Sequence, residues 1–134
     1  MGDIRSRLWQ KLAVNAAINP LVALNGVRNG ELRGDAYSGR VVAVVKEVAA
    51  ILAKEEVAPP NGGEGDAVWL ALVWQGGEYT ANNKASMLQD VEARRLTERG
   101  AILGPLIESA ERHGLGCEVL KGLDQELALL EAGF

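Results

Sequence analysis

Apolar residues recur every three to four positions along most of the chain, which is the spacing of one face of an α-helix. In the second such pattern Val41, Val44, Val48 and Leu52 share a face. The repeats predict long helices over residues 6–24, 39–56, 67–74, 97–113 and 121–131, and a short helix from residue 86. Residues 42–45, VAVV, have the composition of a strand, but the helical pattern on both sides includes them. The sequence therefore predicts an all-α fold, a single helical domain of about five to six helices.

Glycine, proline and asparagine mark the predicted connections and weak points of these helices. Residues 25–30, NGVRNG, and residues 59–65, PPNGGEG, are predicted to be connecting loops. Pro20 lacks a backbone donor and crowds the preceding turn, so we expect a kink or break in the first helix near Asn19. The glycine pair at 76–77 is expected to end the third helix or to leave an irregular turn there.

The first predicted helix carries a narrow polar stripe and is otherwise apolar, so we expect it to be buried almost all round. Lys11, Asn15 and Asn19 are spaced four residues apart and therefore lie on one helix face. In a structural interpretation, the lysine reaches solvent and the asparagines cap neighbouring backbone groups. In a functional interpretation, the ammonium protonates a developing alkoxide while the carboxamides orient a carbonyl or carboxylate. The residues alone leave both interpretations open.

Three further polar residues have ordinary structural explanations when each is taken alone. Ser86 begins an S-x-x-Q capping pattern, and Glu98 lies near a helix N-terminus, where the dipole favours a carboxylate. His113, the only histidine, precedes a glycine at a helix end and is predicted to be a C-terminal cap. The sequence has no spacing typical of a metal site, and it contains no G-x-G-x-x-G phosphate loop.

Length, charge and cysteine content indicate which classes of protein this chain can belong to. The 134 residues are the size of one domain, and the net charge of −4 with dispersed basic residues argues against nucleic-acid binding. A single cysteine excludes an internal disulfide and favours a reducing, cytoplasmic setting. No signal peptide or membrane-length apolar run is visible. The helical pattern begins almost at the first residue, which suggests that a further segment once preceded it.

Two long motifs resemble one protein family. The segment LWQKLAVNAAINPLVALNGVRNGEL (8–32) is similar to the opening of the C-terminal, ApbA/PanE-type domain of ketopantoate reductase (2-dehydropantoate 2-reductase). The segment KASMLQDVEARRLTE (84–98) is similar to that family's second signature, and the resemblance extends over about residues 5–116. It implies an all-α domain like the C-terminal domain of 6-phosphogluconate dehydrogenase. It also implies that residues 1–134 are the substrate and catalytic domain, without the N-terminal domain that binds NADPH.

The resemblance implies a role for each matching polar residue. Lys11 would be the catalytic lysine that protonates the keto oxygen as hydride reaches the carbon. Glu98 would bind the substrate's hydroxyl and support the lysine. Four residues would line the substrate site: Asn15, Asn19, Asn29 and Ser86. The family reaction is the reduction of ketopantoate to D-pantoate, a step toward pantothenate and coenzyme A.

This sequence departs from the family pattern after Glu98. The family usually continues with an acidic residue and a further asparagine, whereas this chain has Arg99, Gly100 and, later, Pro105, which is expected to kink the helix. The resemblance also implies partners: a 2-keto acid, a nucleotide-binding domain in cis or in trans, and a second copy in a homodimer. We expect no NADP(H) binding and no catalysis by this chain alone.

Two alternatives remain at the level of sequence. A stand-alone helical domain could bind a small 2-keto or 2-hydroxy acid, or only dimerise, without catalysis. A related reductase could accept a different 2-keto acid. The missing dinucleotide motif motivates the stand-alone domain. The sequence contains little that would identify a different 2-keto acid.

Overall fold

The computed structural model describes residues 4–60, 62–63, 65–79 and 86–134. These residues form six α-helices and a short 3-10 helix at Asn29–Arg33, and they include no strand. The α-helices are α1 (Ile4–Asn25), α2 (Ser38–Lys54), α3 (Asp66–Tyr79), α4 (Ser86–Glu92), α5 (Arg99–Arg112) and α6 (Glu118–Ala132). The predicted all-α class and number of helices are confirmed, and most predicted boundaries agree with the observed ones to within one helical turn.

Helix α1 is the centre of the domain, because every other helix and the 3-10 helix pack against it. Its C-terminal half is largely buried, through small and branched apolar residues that allow neighbouring helices to approach closely. The fully or almost fully buried side chains there are Ala13, Ala16, Ala17, Ile18, Leu21, Val22 and Ala23. Burial around most of this half agrees with the lack of a clear amphipathic period in its apolar pattern.

The surrounding helices contribute one apolar face each to the core. On α2 the buried valines predicted from the repeat, including Val41, Val44 and Val48, face inward. Leu103 and Leu106 of α5 are fully buried. On α6 the buried residues Leu120, Leu123 and Leu127 follow the three- and four-residue spacing of one helix face. The core therefore uses the periodicity that the sequence shows.

Breaker residues end fewer helices than the sequence predicts. Helix α1 continues through Pro20, which is buried, so the predicted alternative of a break there is wrong. Pro105 likewise lies inside α5, and the kinks expected at the two prolines stay predictions. Proline inside a helix costs about 3 kcal/mol, but packing of α1 against all of its neighbours offsets such a local cost. Helix α3 also runs through the glycines at 76–77 to Tyr79. A glycine lowers helix propensity by about 1 kcal/mol without forbidding the helix.

The end of α2 is fixed by a buried carboxylate. Glu55 accepts hydrogen bonds from Ser109 Oγ at 2.5 Å, Arg112 Nη2 at 2.9 Å and Arg5 Nη2 at 2.5 Å. The ring Nε2 of His113 lies 3.3 Å from the same carboxylate. The hydrogen bond from Ser109 and the nearby cations hold the pKa of Glu55 below its usual value, against the effect of burial. This carboxylate therefore joins the end of α2 to α1 and α5.

His113 has the structural role that the sequence predicts. It is the C-cap residue of α5, and its backbone N–H donates to the carbonyl groups of Glu111 and Ser109. Its side chain adds the contact with Glu55. The only histidine of the chain thus belongs to the helix end and to the carboxylate network beneath it.

Candidate functional site

The polar stripe of α1 lies on a helix face that is open to solvent in its first half. Lys11 is exposed, and Asn15 and Asn19 are half-buried. Ile4 and Leu8, two turns and one turn before the lysine, are 74% and 58% exposed. The expectation that this helix is buried almost all round is therefore wrong for its N-terminal half. Burial depends on the neighbours that cover a residue, and no other described helix covers this face.

The asparagines of the stripe are not used as backbone caps within the described part of the chain. There the side chains of Asn15 and Asn19 make no hydrogen bond, whereas Asn25 donates from Nδ2 to the carbonyl oxygen of Leu21 at 2.8 Å. A half-buried carboxamide without a protein partner keeps its donors and acceptor available to a ligand. This observation removes the capping part of the structural interpretation, whereas the exposed Lys11 agrees with the part in which the lysine reaches solvent.

Asn29 lies on a separate element that packs beside α1. It is the first residue of the 3-10 helix, it is 9% exposed, and that short helix contacts both α1 and α3. At the other end of the 3-10 helix, the guanidinium of Arg33 lies over the ring of Trp74, 5.4 Å from its centroid. This cation–π contact attaches the turn that carries Asn29 to α3.

Ser86 is the first residue of α4, as the S-x-x-Q pattern predicts, although its side chain lies outside the described residues. Helix α4 packs against α1 through Met87 and Leu88, which are almost fully buried. The short helix is therefore held in place by the two apolar residues that follow the serine.

Glu98 immediately precedes α5 as its N-cap residue. Its carbonyl oxygen accepts from the N–H groups of Ala101 and Ile102, at 3.0 and 3.1 Å, while its side chain is exposed and makes no capping hydrogen bond. The predicted place near a helix N-terminus is confirmed. Because the cap is made by the backbone alone, the carboxylate remains available for another partner.

The fold groups the elements that carry the six candidate residues around α1. Lys11, Asn15 and Asn19 extend over roughly 12 Å of this helix, and the 3-10 helix, α4 and α5 each contact it. Within the described residues Lys11 and Glu98 form no ion pair, so the support of the lysine by the glutamate stays a prediction. An open cavity of about 790 Å³ between α2 and α3 is lined by none of the six.

One residue close to this site was not anticipated from the sequence. Glu131, in the last turn of α6, accepts hydrogen bonds from Thr97 and Arg99, the two neighbours of Glu98. The available signal was its position, because the dipole at a helix C-terminus disfavours a carboxylate. An acidic residue there needs a compensating contact, which the pattern of hydrophobic positions does not show.

The described residues offer no metal or thiol chemistry. Among them, no three histidine, cysteine, aspartate or glutamate side chains are grouped to hold a metal ion. Cys117 is buried, and burial raises the pKa of its thiol, which keeps it in the less reactive protonated form. Of the helices in the described ranges, none is long and apolar enough to cross a membrane.

Residues 3–131 match the family described as ketopantoate reductase PanE/ApbA C terminal. The chain is 38% identical over 129 residues to 2-dehydropantoate 2-reductase of Vibrio cholerae, which covers 96% of this chain and 42% of that protein. It is 36% identical to the Archaeoglobus fulgidus enzyme of the same name, over 99% of this chain and 43% of that protein.

Solved structures share the fold. The probable 2-dehydropantoate 2-reductase of Bacillus subtilis superposes with a TM-score of 0.79 at 36% identity, over 90% of this chain and 39% of that one. D-mandelate dehydrogenase in complex with NADH and anilino(oxo)acetate gives a TM-score of 0.85 at 22% identity, over 99% and 54%. The chain spans less than half the length of the curated relatives it matches.

Proposed function

Because this chain belongs to the ketopantoate reductase C-terminal family, we propose that it is the substrate-binding and catalytic half of an NADPH-dependent 2-keto acid reductase. The reaction would reduce ketopantoate to D-pantoate in the cytoplasm. The observation that carries this proposal is the open face of α1. There an exposed lysine stands next to two half-buried asparagines that make no hydrogen bond within the described residues.

In the proposed mechanism Lys11 is the general acid. With hydride supplied to the keto carbon from outside this chain, the C=O π bond would break toward oxygen and the ammonium of Lys11 would transfer a proton to that oxygen. The product is a secondary alcohol, and the lysine is left neutral until it regains a proton from solvent. A positioned acid of this kind contributes about 10²- to 10⁴-fold in rate.

The other candidate residues would bind and orient the substrate. Asn15 and Asn19 can donate from their amide nitrogens to the carboxylate or accept from a hydroxyl. Asn29 and Ser86 would complete this polar surround from the 3-10 helix and from α4. Glu98 would accept a hydrogen bond from the substrate's hydroxyl and place a negative charge near the ammonium, which favours the charged lysine.

The described residues do not fit the cofactor. They form no strand, so they cannot build the strand, glycine-rich turn and helix that usually hold a dinucleotide. NADPH would therefore be bound by a second domain, in cis or in trans, and would supply the hydride from there. This division agrees with the relatives, of which the chain covers 42% and 43%.

The exposed apolar residues at the start of α1 are evidence that another domain covers this face in the complete enzyme. Ile4 and Leu8 lie on the same side of the helix as Lys11, and their exposure is costly unless another surface covers them. A domain seated on this face would also exclude water from the lysine and its neighbours. Closure of that kind strengthens the interaction of the ammonium with the developing negative charge.

The test joins this chain to the N-terminal part of the Vibrio cholerae relative and measures oxidation of NADPH with a panel of 2-keto acids. We expect activity that depends on both components and prefers ketopantoate. An active fusion that prefers a different 2-keto acid would replace the proposed substrate while keeping the reaction class. A folded fusion without activity toward any 2-keto acid would contradict the proposal.

A second candidate function is binding of a small acid without catalysis. It is favoured by the absence of a dinucleotide fold from the described residues. Calorimetric titration of the chain with ketopantoate and pantoate separates the two candidates when read beside the fusion. Binding to the isolated chain together with an inactive fusion would favour this second function.

A further inference from the structure

The start of α5, where Glu98 lies, is held by the last turn of α6. The backbone N–H of Thr97 donates to Glu131 Oε2 at 3.2 Å, and the Thr97 hydroxyl donates to the same oxygen. The Nε of Arg99 donates to the other oxygen, Oε1, at 3.2 Å. A single carboxylate thus binds the residue before Glu98 and the residue after it.

A second carboxylate on α6 reinforces this arrangement. Arg99 Nη1 donates to Asp124 Oδ1 at 2.7 Å, and Asp124 lies two helical turns before Glu131 on the same face of α6. The guanidinium is therefore attached to α6 at two points. The N–H of Arg99 also lies 3.4 Å from the Thr97 hydroxyl oxygen, which closes the turn around Glu98.

Burial and charge set this contact apart from an ordinary surface ion pair. The Glu131 side chain is 7% exposed, and those of Arg99 and Asp124 are about one-third exposed. Burial alone would raise the pKa of Glu131, but the hydrogen bonds from Thr97 and Arg99 outweigh it and lower the pKa. The carboxylate is therefore ionised at neutral pH despite its place at a helix C-terminus.

We propose that Glu131 is a positioning residue, which fixes the backbone on both sides of Glu98 and so determines where the Glu98 carboxylate stands relative to α1. This inference rests on the proposed function, because it assigns a use to the position of Glu98. It gives α6 a part in the site, although that helix carries none of the six candidate residues. A displacement of about 1 Å at a reacting group can cost 10²-fold in rate.

The experiment compares Glu131→Ala with Glu126→Ala in the fusion enzyme. Glu126 is a matched control, because it lies on the same helix and pairs with Arg40 at the surface, with both side chains nearly half exposed. We expect Glu131→Ala to lower kcat about 10²-fold and Glu126→Ala to leave it unchanged. Equal kcat values for the two variants would overturn the proposal.

A double substitution separates positioning from a general loss of structure. If Glu131 acts through Glu98, adding Glu131→Ala to Glu98→Ala should cost less than about threefold further, because the two residues act as a unit. A full additional 10²-fold loss would show that Glu131 acts independently of Glu98 and would overturn the inference.

A milder substitution keeps the proposal testable even if Glu131→Ala does not fold. Thr97→Val removes one hydroxyl contact with Glu131 and retains the backbone N–H, so we expect about a tenfold loss of kcat. Thr97→Ser should restore the activity. If Thr97→Val is fully active while Glu131→Ala fails to fold, the carboxylate serves stability alone and the proposal is overturned.

The isolated chain provides a readout that does not depend on catalysis. In amide NMR spectra, Glu131→Ala should shift the resonances of Thr97, Glu98 and Arg99, and Glu126→Ala should not. If the unsubstituted fusion is inactive, the proposed function fails, and these shifts alone decide whether Glu131 holds Glu98. Unchanged shifts in Glu131→Ala would overturn the positioning role directly.

Discussion

At the residue scale, the buried carboxylate of Glu55 joins residues about 50 positions apart in the chain, from Arg5 on α1 to Ser109 on α5. No local sequence pattern indicates such a contact. The common helix face of Lys11, Asn15 and Asn19, by contrast, follows from their spacing alone, and the structure places them on it. The extent to which these three are buried could not be predicted, because it depends on where other helices pack.

Glu55 gives a prediction for stability against pH. Its pKa in the folded chain is lower than in the unfolded chain, chiefly through the hydrogen bond from Ser109. Its contribution to the free energy of unfolding is therefore complete above the unfolded value of 4.5 and is lost as the pH falls through the folded pKa. We expect the unsubstituted chain to lose stability below this pH, and Glu55→Gln to show a smaller loss. Urea unfolding between pH 3 and pH 7 measures the difference.

The same residue gives a prediction at neutral pH. Glu55→Ala leaves Arg5, Arg112 and Ser109 without their buried acceptor, so we expect a cost of about 3 kcal/mol in the free energy of unfolding. Glu126→Ala, which removes a surface partner of Arg40, should cost about 0–1 kcal/mol. Equal costs for the two variants in urea unfolding would show that the Glu55 network does not stabilise the fold.

At the scale of the element, the hydrophobic period predicted the positions of the helices well. Proline and glycine, in contrast, predicted helix ends that the structure does not have. The valine repeat of α2 and the leucine repeat of α6 depend only on the residues of each helix, and they located both helices correctly. Pro20 and the glycines at 76–77 lower local helix propensity, but packing in the folded domain overrides that preference. Local signals cannot include this contribution, since it comes from distant segments.

The 3-10 helix that carries Asn29 gives a prediction at this scale. The guanidinium of Arg33 lies over Trp74, so Arg33→Ala should lower the free energy of unfolding by about 1 kcal/mol. In a double-mutant cycle with Trp74→Leu, the coupling energy should account for about half of this cost or more. A coupling energy of zero would mean that Arg33 stabilises the chain through other contacts.

At the scale of the whole molecule, the packing of the described helices does not account for the exposed apolar residues at the start of α1. Ile4 and Leu8 contribute nothing to the core of the domain, yet they lie beside the candidate catalytic lysine. The family resemblance of the sequence predicted a missing partner domain, and the structure shows an open apolar face next to Lys11. How a proposed second domain would pack on this face cannot be predicted from this chain, because the packing would depend on that domain's own residues.

The double variant Ile4→Ser and Leu8→Ser tests whether this face is a docking surface. Because both side chains are exposed, we expect the free energy of unfolding of the isolated chain to change by less than about 0.5 kcal/mol per substitution. Binding to a nucleotide-binding domain supplied in trans should weaken at least tenfold, since each side chain loses about 1.5 kcal/mol or more of apolar burial. The control is Leu129→Ser, which changes a leucine on α6 that is 76% exposed. Unchanged binding by the double variant would place the docking surface elsewhere.

The central claim is that Lys11 protonates the substrate, and the most direct measurement is the kcat/KM of the fusion enzyme for ketopantoate with Lys11→Ala. We expect a loss of about 10²- to 10⁴-fold, whereas Lys46→Ala, which removes an exposed lysine of α2, should leave kcat/KM unchanged. A Lys11→Ala enzyme as active as the Lys46→Ala enzyme would contradict the proposed mechanism.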